Sequence, residues 1–214
     1  KEHPDSPSPM IAGNVSFFNE SKSGSIPPSP IVSCLGKIND ISNVVTMSFK
    51  SPASKIFMIG KRKDELGGSL YYSLHKELGA NVPNPNIDEV KDQIYAITDS
   101  IDSNLINACH DISDGGVAVT LSEMTFENNI GCSVNIPGKL SFEKLLFSET
   151  GGFIIEVINS NVDAIKKIFQ NYDLEIDLIG RTTKEKYIKI NDKIDLNTEE
   201  AKKLWLSGLR DKIK

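Results

Sequence analysis

The stretch 110-HDISDGGVAVTLSEM-124 decides how this chain is read. Two acids, a serine and a glycine pair stand directly before an apolar run of helical period, with Val117, Leu121 and Met124 on one face. The spacing predicts a helix over 117–128 with a tight turn in front of it. Paired glycines let backbone amides approach a ligand closely, and a helix start adds partial positive charge, so Gly115 and Gly116 suit a phosphate. Asp111 and Asp114 could hold a Mg2+ that screens it. The plainer alternative is that Ser113 or Asp114 caps the helix while the glycines make the turn. On spacing alone that alternative is favoured, because the pattern is not a Walker loop. His110 reads more readily as a packed or hydrogen-bonded side chain than as a catalytic base.

Two other stretches could carry chemistry. In 145-LLFSETGGFIIEV-157, Ser148 and Glu149 close a helical segment and Gly151-Gly152 lead into a buried strand. Glu149 could bind metal or substrate, or simply be a solvated residue before a turn, and the second reading is favoured. In 11-IAGNVSFFNES-21, Gly13 permits close approach and Asn14 offers a neutral oxygen suited to Mg2+. Ser16 lies two residues on, on the same strand face as Asn14.

Around these stretches the chain is organised in two parts. Residues 1–10 hold three of its prolines and read as an arm or a broken end, followed by strand-like runs at 11–18, 31–36, 44–49 and 56–59. Beyond Lys61, helical spacing appears at 69–78, 87–101, 117–128, 162–172 and 198–212, the last capped by Asn197 or Thr198. Strands are expected at 153–158, 176–179 and 187–190. The alternation lacks a strict βαβ rhythm, so an α+β fold with a mixed sheet layered by helices is expected, with a domain boundary near residue 65. No internal repeat is visible.

Composition narrows the function classes. With 24 basic against 29 acidic residues, net charge −5 and basic residues scattered, the chain is not expected to bind nucleic acid. No apolar run approaches a membrane span and no signal-like leader is seen, although the first residue is Lys1, which suggests a piece of a longer chain. Cys34, Cys109 and Cys132 are odd in number and far apart, which suggests neither a disulfide framework nor a zinc site and fits a reducing cytoplasm.

The stretches GNVSFFNES, IPPSPIVSCLGKIND, LGGSLYY, HDISDGGVAVTLSEM and LFSETGGFIIEV, in that order, with the ending EAKKLWLSGL, closely resemble the second half of phosphoribosylformylglycinamidine synthase. The resemblance runs from about Pro9 to the end, and five ordered motifs make it specific. It implies that residues 1–65 are the remnant of a second AIR synthase-like N-domain and 66–214 the second C-domain with its C-terminal helix. The first half of the same enzyme, with the catalytic histidine, would lie elsewhere, leaving no catalytic residue here.

The resemblance further implies an ATP-dependent carbon–nitrogen ligase of purine synthesis. Such enzymes amidate formylglycinamide ribonucleotide with glutamine-derived ammonia, working with a glutaminase subunit and a small accessory subunit. ATP and Mg2+ are the implied cofactors. Carried over, Gly13 gives a backbone contact to ATP, Asn14 an oxygen to Mg2+ and Ser16 a hydroxyl to the substrate. Asp111, Asp114, Gly115, Gly116, Ser148 and Glu149 would belong to an auxiliary nucleotide, phosphate or metal site. Gly151-Gly152 stands where a Pro-Gly-Arg-like turn is expected, which weakens a phosphate role there. Rival readings are another member of the superfamily (aminoimidazole ribonucleotide synthase, selenophosphate synthetase or thiamine-phosphate kinase type) and a non-catalytic assembly module.

Overall fold

The computed structural model describes residues 9–14, 20–25, 31–38 and 40–208. The chain divides into two compact units, Lys1–Lys37 and Ile38–Lys214. In the first, β1 (Glu20–Ser21) and β2 (Gly24–Ser25) form an antiparallel hairpin. Ser21 Oγ ties its turn, accepting from Ser23 N at 3.1 Å and donating to Gly24 O at 3.1 Å. Residues 31–36, expected as a strand, form none and are exposed. Of the run expected at 11–18, residues 11–14 carry no regular structure and 15–18 lie outside the described residues.

The second unit is built on a mixed sheet. Its strands are β3 (Lys55–Ile59), β4 (Ala108–Asp111), β5 (Gly131–Val134), β6 (Phe153–Val157), β7 (Ile176–Thr183), β8 (Tyr187–Ile190) and β9 (Ile194–Asn197). Their order is β4-β6-β3-β7-β5-β8-β9, and only β5–β8 is parallel. Strand periodicity sends alternate residues to opposite faces. Thus Ile56 and Met58 join one apolar cluster and Phe57 and Ile59 the other. The first cluster is covered by α3 (Gly116–Met124), α4 (Phe142–Phe147) and Ala201 of α6 (Thr198–Ser207). The second is covered by α2 (Ile87–Asp102) and α5 (Val162–Gln170). The sheet is therefore sandwiched between helices, as the α+β expectation requires.

Several boundaries differ from the sequence reading for identifiable reasons. Central β3 draws residues 38–65 into the second unit, upstream of the boundary expected near 65. The helix expected over 69–78 stops early: α1 is Leu70–Leu74. Leu78 O and Asn81 O are captured by Gly68 N and Gly67 N, each at 2.7 Å, which folds 78–81 back on the helix start. Helix α3 ends at Met124 rather than 128, its last carbonyl taken by Phe49 N at 2.9 Å. Residues 44–49 make one parallel bridge, Thr46 to Ala108, instead of a strand. Helix α6 starts from Asn197, whose Oδ1 accepts from Glu199 N and Glu200 N at 2.9 and 3.3 Å. No described helix is long and apolar enough to cross a membrane.

Candidate functional site

Strand β4 delivers the 110–116 stretch to the end of the sheet, beside β6. His110 comes last but one in the strand, with its side chain 14 % exposed. Its Nδ1 lies 3.1 Å from Asp111 Oδ1 and its Nε2 2.9 Å from Glu123 Oε2. Glu123 Oε1 in turn accepts from Trp205 Nε1 at 2.8 Å, so a polar chain links β4, α3 and α6. His110 is thus the hydrogen-bonded histidine of the plainer reading. Asp111 is the outward end of this chain, its side chain 61 % exposed, and Asp114 is exposed as well.

Beyond Asp111 the chain turns inward. Ile112 is buried and its amide donates to Gly152 O at 2.8 Å. Gly115 adopts a left-handed conformation at φ 78° as N-cap of α3, with no side chain to cap the helix. Neither Ser113 nor Asp114 is that cap; the amide of the cap residue itself is held by Glu149, whose Oε1 accepts from Gly115 N at 2.9 Å. The same oxygen accepts from Leu70 N, the first residue of α1, at 2.8 Å. Gly116 is required by packing: a Cβ there would sit 2.5 Å from Leu146 O and 2.9 Å from Ser148 O.

Ser148 and Glu149 follow α4, and both bond to protein groups. Ser148 is fully buried and donates to Lys63 O at 2.8 Å. Next to them Thr150 Oγ1 donates to Glu65 Oε2 at 2.7 Å. Arg62 then clamps the segment, donating to Thr150 O at 2.6 Å and Gly151 O at 2.8 Å. Burial lowers the Arg62 pKa to about 10, partly offset by Glu65 nearby, and its Nε has no hydrogen-bond partner. The sequence gives no signal for Arg62, because in 60-GKRKDELGG-68 it looks like one of several solvated cations. The structure therefore brings Gly115, Gly116, Ser148 and Glu149 together through internal bonds, with Asp111 and Asp114 on the exposed side. Among the described residues no group of three or more His, Cys, Asp or Glu could hold a metal ion.

Gly13 and Asn14 belong to the Lys1–Lys37 unit and are exposed. A Cβ at Gly13 would meet nothing within 4 Å, so packing does not demand glycine there. Ser16 lies outside the described residues.

The AIR synthase related protein, C-terminal domain, matches residues 52–193, and the chain belongs to that family. Its relatives include the phosphoribosylformylglycinamidine synthase subunit PurL of Methanothrix thermoacetophila, 39% identical over 100% of this chain and 29% of its own length. The PurL subunit of Thermococcus sibiricus is 37% identical over 83% of this chain and 25% of its own length. The chain thus spans less than a third of these curated relatives. Among solved structures, T. maritima PurL complexed with FGAR superposes with a TM-score of 0.66 at 16% identity, covering 76% of this chain and 30% of that one. The same protein complexed with ATP gives 0.60 at 17% identity, covering 76% and 28%. At such identities the likeness is one of fold.

Proposed function

We propose that this chain is the C-terminal part of a phosphoribosylformylglycinamidine synthase, an ATP-dependent ligase that amidates formylglycinamide ribonucleotide. The observation that carries the reading is the 39% identity to a PurL subunit along the whole of this chain. The ordered motifs extend it to both units. The T. maritima PurL complexes with FGAR and with ATP support that substrate and that nucleotide.

In this reading ATP, with Mg2+, activates the formamide oxygen, and ammonia supplied from glutamine by a glutaminase subunit displaces the phosphate. The contribution of these residues is positioning and charge placement. Gly13, with open space around its Cα, lets the ATP approach the backbone. The Asn14 side-chain oxygen would serve the metal as a neutral hard ligand. The Ser16 hydroxyl orients the ribonucleotide. The tail of a preceding N-domain supplies these three, and the sheet unit contributes no catalytic group of its own. The first half of the enzyme and a small accessory subunit complete the assembly.

The test is a chimera in which this chain replaces the corresponding C-terminal portion of the M. thermoacetophila subunit. Ammonia-dependent formation of formylglycinamidine ribonucleotide is expected in the chimera and absent from this chain alone. A folded chimera without turnover, or turnover by the chain alone, overturns the reading.

A further inference from the structure

An auxiliary phosphate site at Gly115 and Gly116 needs amides free to point at a ligand. The structure has an anion there already. One carboxylate oxygen of Glu149 accepts from Leu70 N at 2.8 Å and from Gly115 N at 2.9 Å, joining the starts of α1 and α3. We propose that Glu149 is the resident anion of this two-amide position, and that residues 148–152 form a structural clasp instead of a nucleotide site.

Three further observations point the same way. The remaining amide of the glycine pair is also engaged, Gly116 N donating to Ser113 O at 2.9 Å. The Gly116 Cα faces the Leu146 and Ser148 carbonyls so closely that a Cβ would approach them to 2.5 and 2.9 Å, which leaves no room for a phosphate on that side. Every polar side chain of 148–150 is bonded inward: Ser148 to Lys63 O, Glu149 to the two amides, and Thr150 to Glu65.

The clasp explains why an anionic residue stands between a buried serine and a buried threonine. The first amides of a helix have no partner within the helix and favour negative charge. At α1, Ser69 Oγ accepts from Tyr72 N at 3.2 Å, which leaves Leu70 N to Glu149. At α3 the cap residue is a glycine with no side chain of its own, and its amide finds an acceptor in Glu149. Arg62 holds the other end of the clasp by the Thr150 and Gly151 carbonyls. One carboxylate thereby adds to the Ser69 cap of α1, holds the cap residue of α3, and fixes α4, α1 and α3 to a common point. The inference is independent of the synthase reading, since its readouts are amide resonances and thermal stability, not turnover.

The experiment follows the Gly115 and Leu70 amide resonances of the whole chain by NMR while inorganic phosphate is added, together with thermal melts. In the native chain neither resonance moves with phosphate. In Glu149→Ala the thermal midpoint falls by about 5 °C, as expected for losing charge-assisted hydrogen bonds at two helix starts. Phosphate then shifts both resonances and restores part of the midpoint, which chloride at equal ionic strength does not. A saturable shift of Gly115 in the native chain overturns the proposal. So does Glu149→Ala with an unchanged midpoint, or one whose two amides ignore phosphate. If Glu149→Ala does not fold, Glu149→Gln keeps an acceptor oxygen without its charge. Its midpoint should fall by less, with both amides still protected from exchange, and a midpoint equal to native overturns the role of charge.

Discussion

Every described residue of the Lys1–Lys37 unit is exposed, whereas the Ile38–Lys214 unit buries two apolar clusters together with Ser148, Thr150, Gly115 and Gly116. Both units carry motifs of the same family resemblance. In the second, the motif residues are accounted for by bonds inside the chain: glycines by close carbonyls, Ser148 and Glu149 by hydrogen bonds. In the first, no described packing requires Gly13 or Asn14 to be what they are. A motif residue with an internal job is weak grounds for a ligand. One without such a job is better grounds, which supports the proposed synthase contacts at Gly13 and Asn14.

The comparison breaks most easily at the core. Phe57 is fully buried in the cluster under α2 and α5. Phe57→Ala should remove about 3–5 kcal/mol of stability, the usual range for a buried phenylalanine. The matching change in the first unit, Leu35→Ala at a residue 92% exposed, should stay within about 0.5 kcal/mol. Thermal melts of the two variants decide it, and similar losses would mean that the first unit also rests on packing.

Next in size is Asn14→Ala, made in the chimera that carries the proposed activity. Loss of one charge-stabilising contact should lower ammonia-dependent turnover roughly a hundredfold, equivalent to about 3 kcal/mol. The thermal midpoint should not change, because Asn14 is exposed. Turnover that survives intact would remove the role given to Asn14. In the same assay Ser16→Ala should cost about 1 kcal/mol, read as a raised KM for the ribonucleotide.

Glu156 sharpens the second half of the comparison. It is wholly buried, and its carboxylate accepts from Lys50 N at 2.7 Å and Ser51 N at 2.9 Å. Glu156→Ala leaves both amides without their acceptor and should cost about 2–3 kcal/mol in denaturant unfolding. An unchanged unfolding midpoint would show that 50–51 finds other partners.

The smallest effects concern the thiols. Burial raises Cys109 and Cys132 to about 12, with Asp111 adding to the Cys109 shift, while Cys34 is exposed. A thiol reagent at pH 8 should therefore modify one cysteine of the native chain quickly and the other two only on unfolding. The unfolded thiols ionise near 9 and the folded ones near 12, so the unfolded state binds fewer protons in between and stability should fall as pH rises from 9. Arg62, lowered to about 10, acts in the opposite sense above that pH, so the decline is cleanest between pH 9 and 10. Three thiols reacting alike in the native chain would contradict the burial of Cys109 and Cys132.

By itself the sequence determined the helical stretches of strong period, α2 and α5, and the turn before α3, because apolar spacing and glycine conformational freedom are local properties. The order of its motifs was enough to indicate the family. Tertiary structure alone decided the rest. Strands β4 and β5 are four residues each, and their ladder partners lie far along the chain, so no local pattern announces them. Helix α1 ends where 78–81 returns to Gly67 and Gly68, a contact made only in the folded chain. The Gly115 amide was legible as an anion position, but its occupant is 34 residues further on. Which acceptor reaches an amide is settled by how α4 packs against α3, and that depends on the whole sheet beneath them.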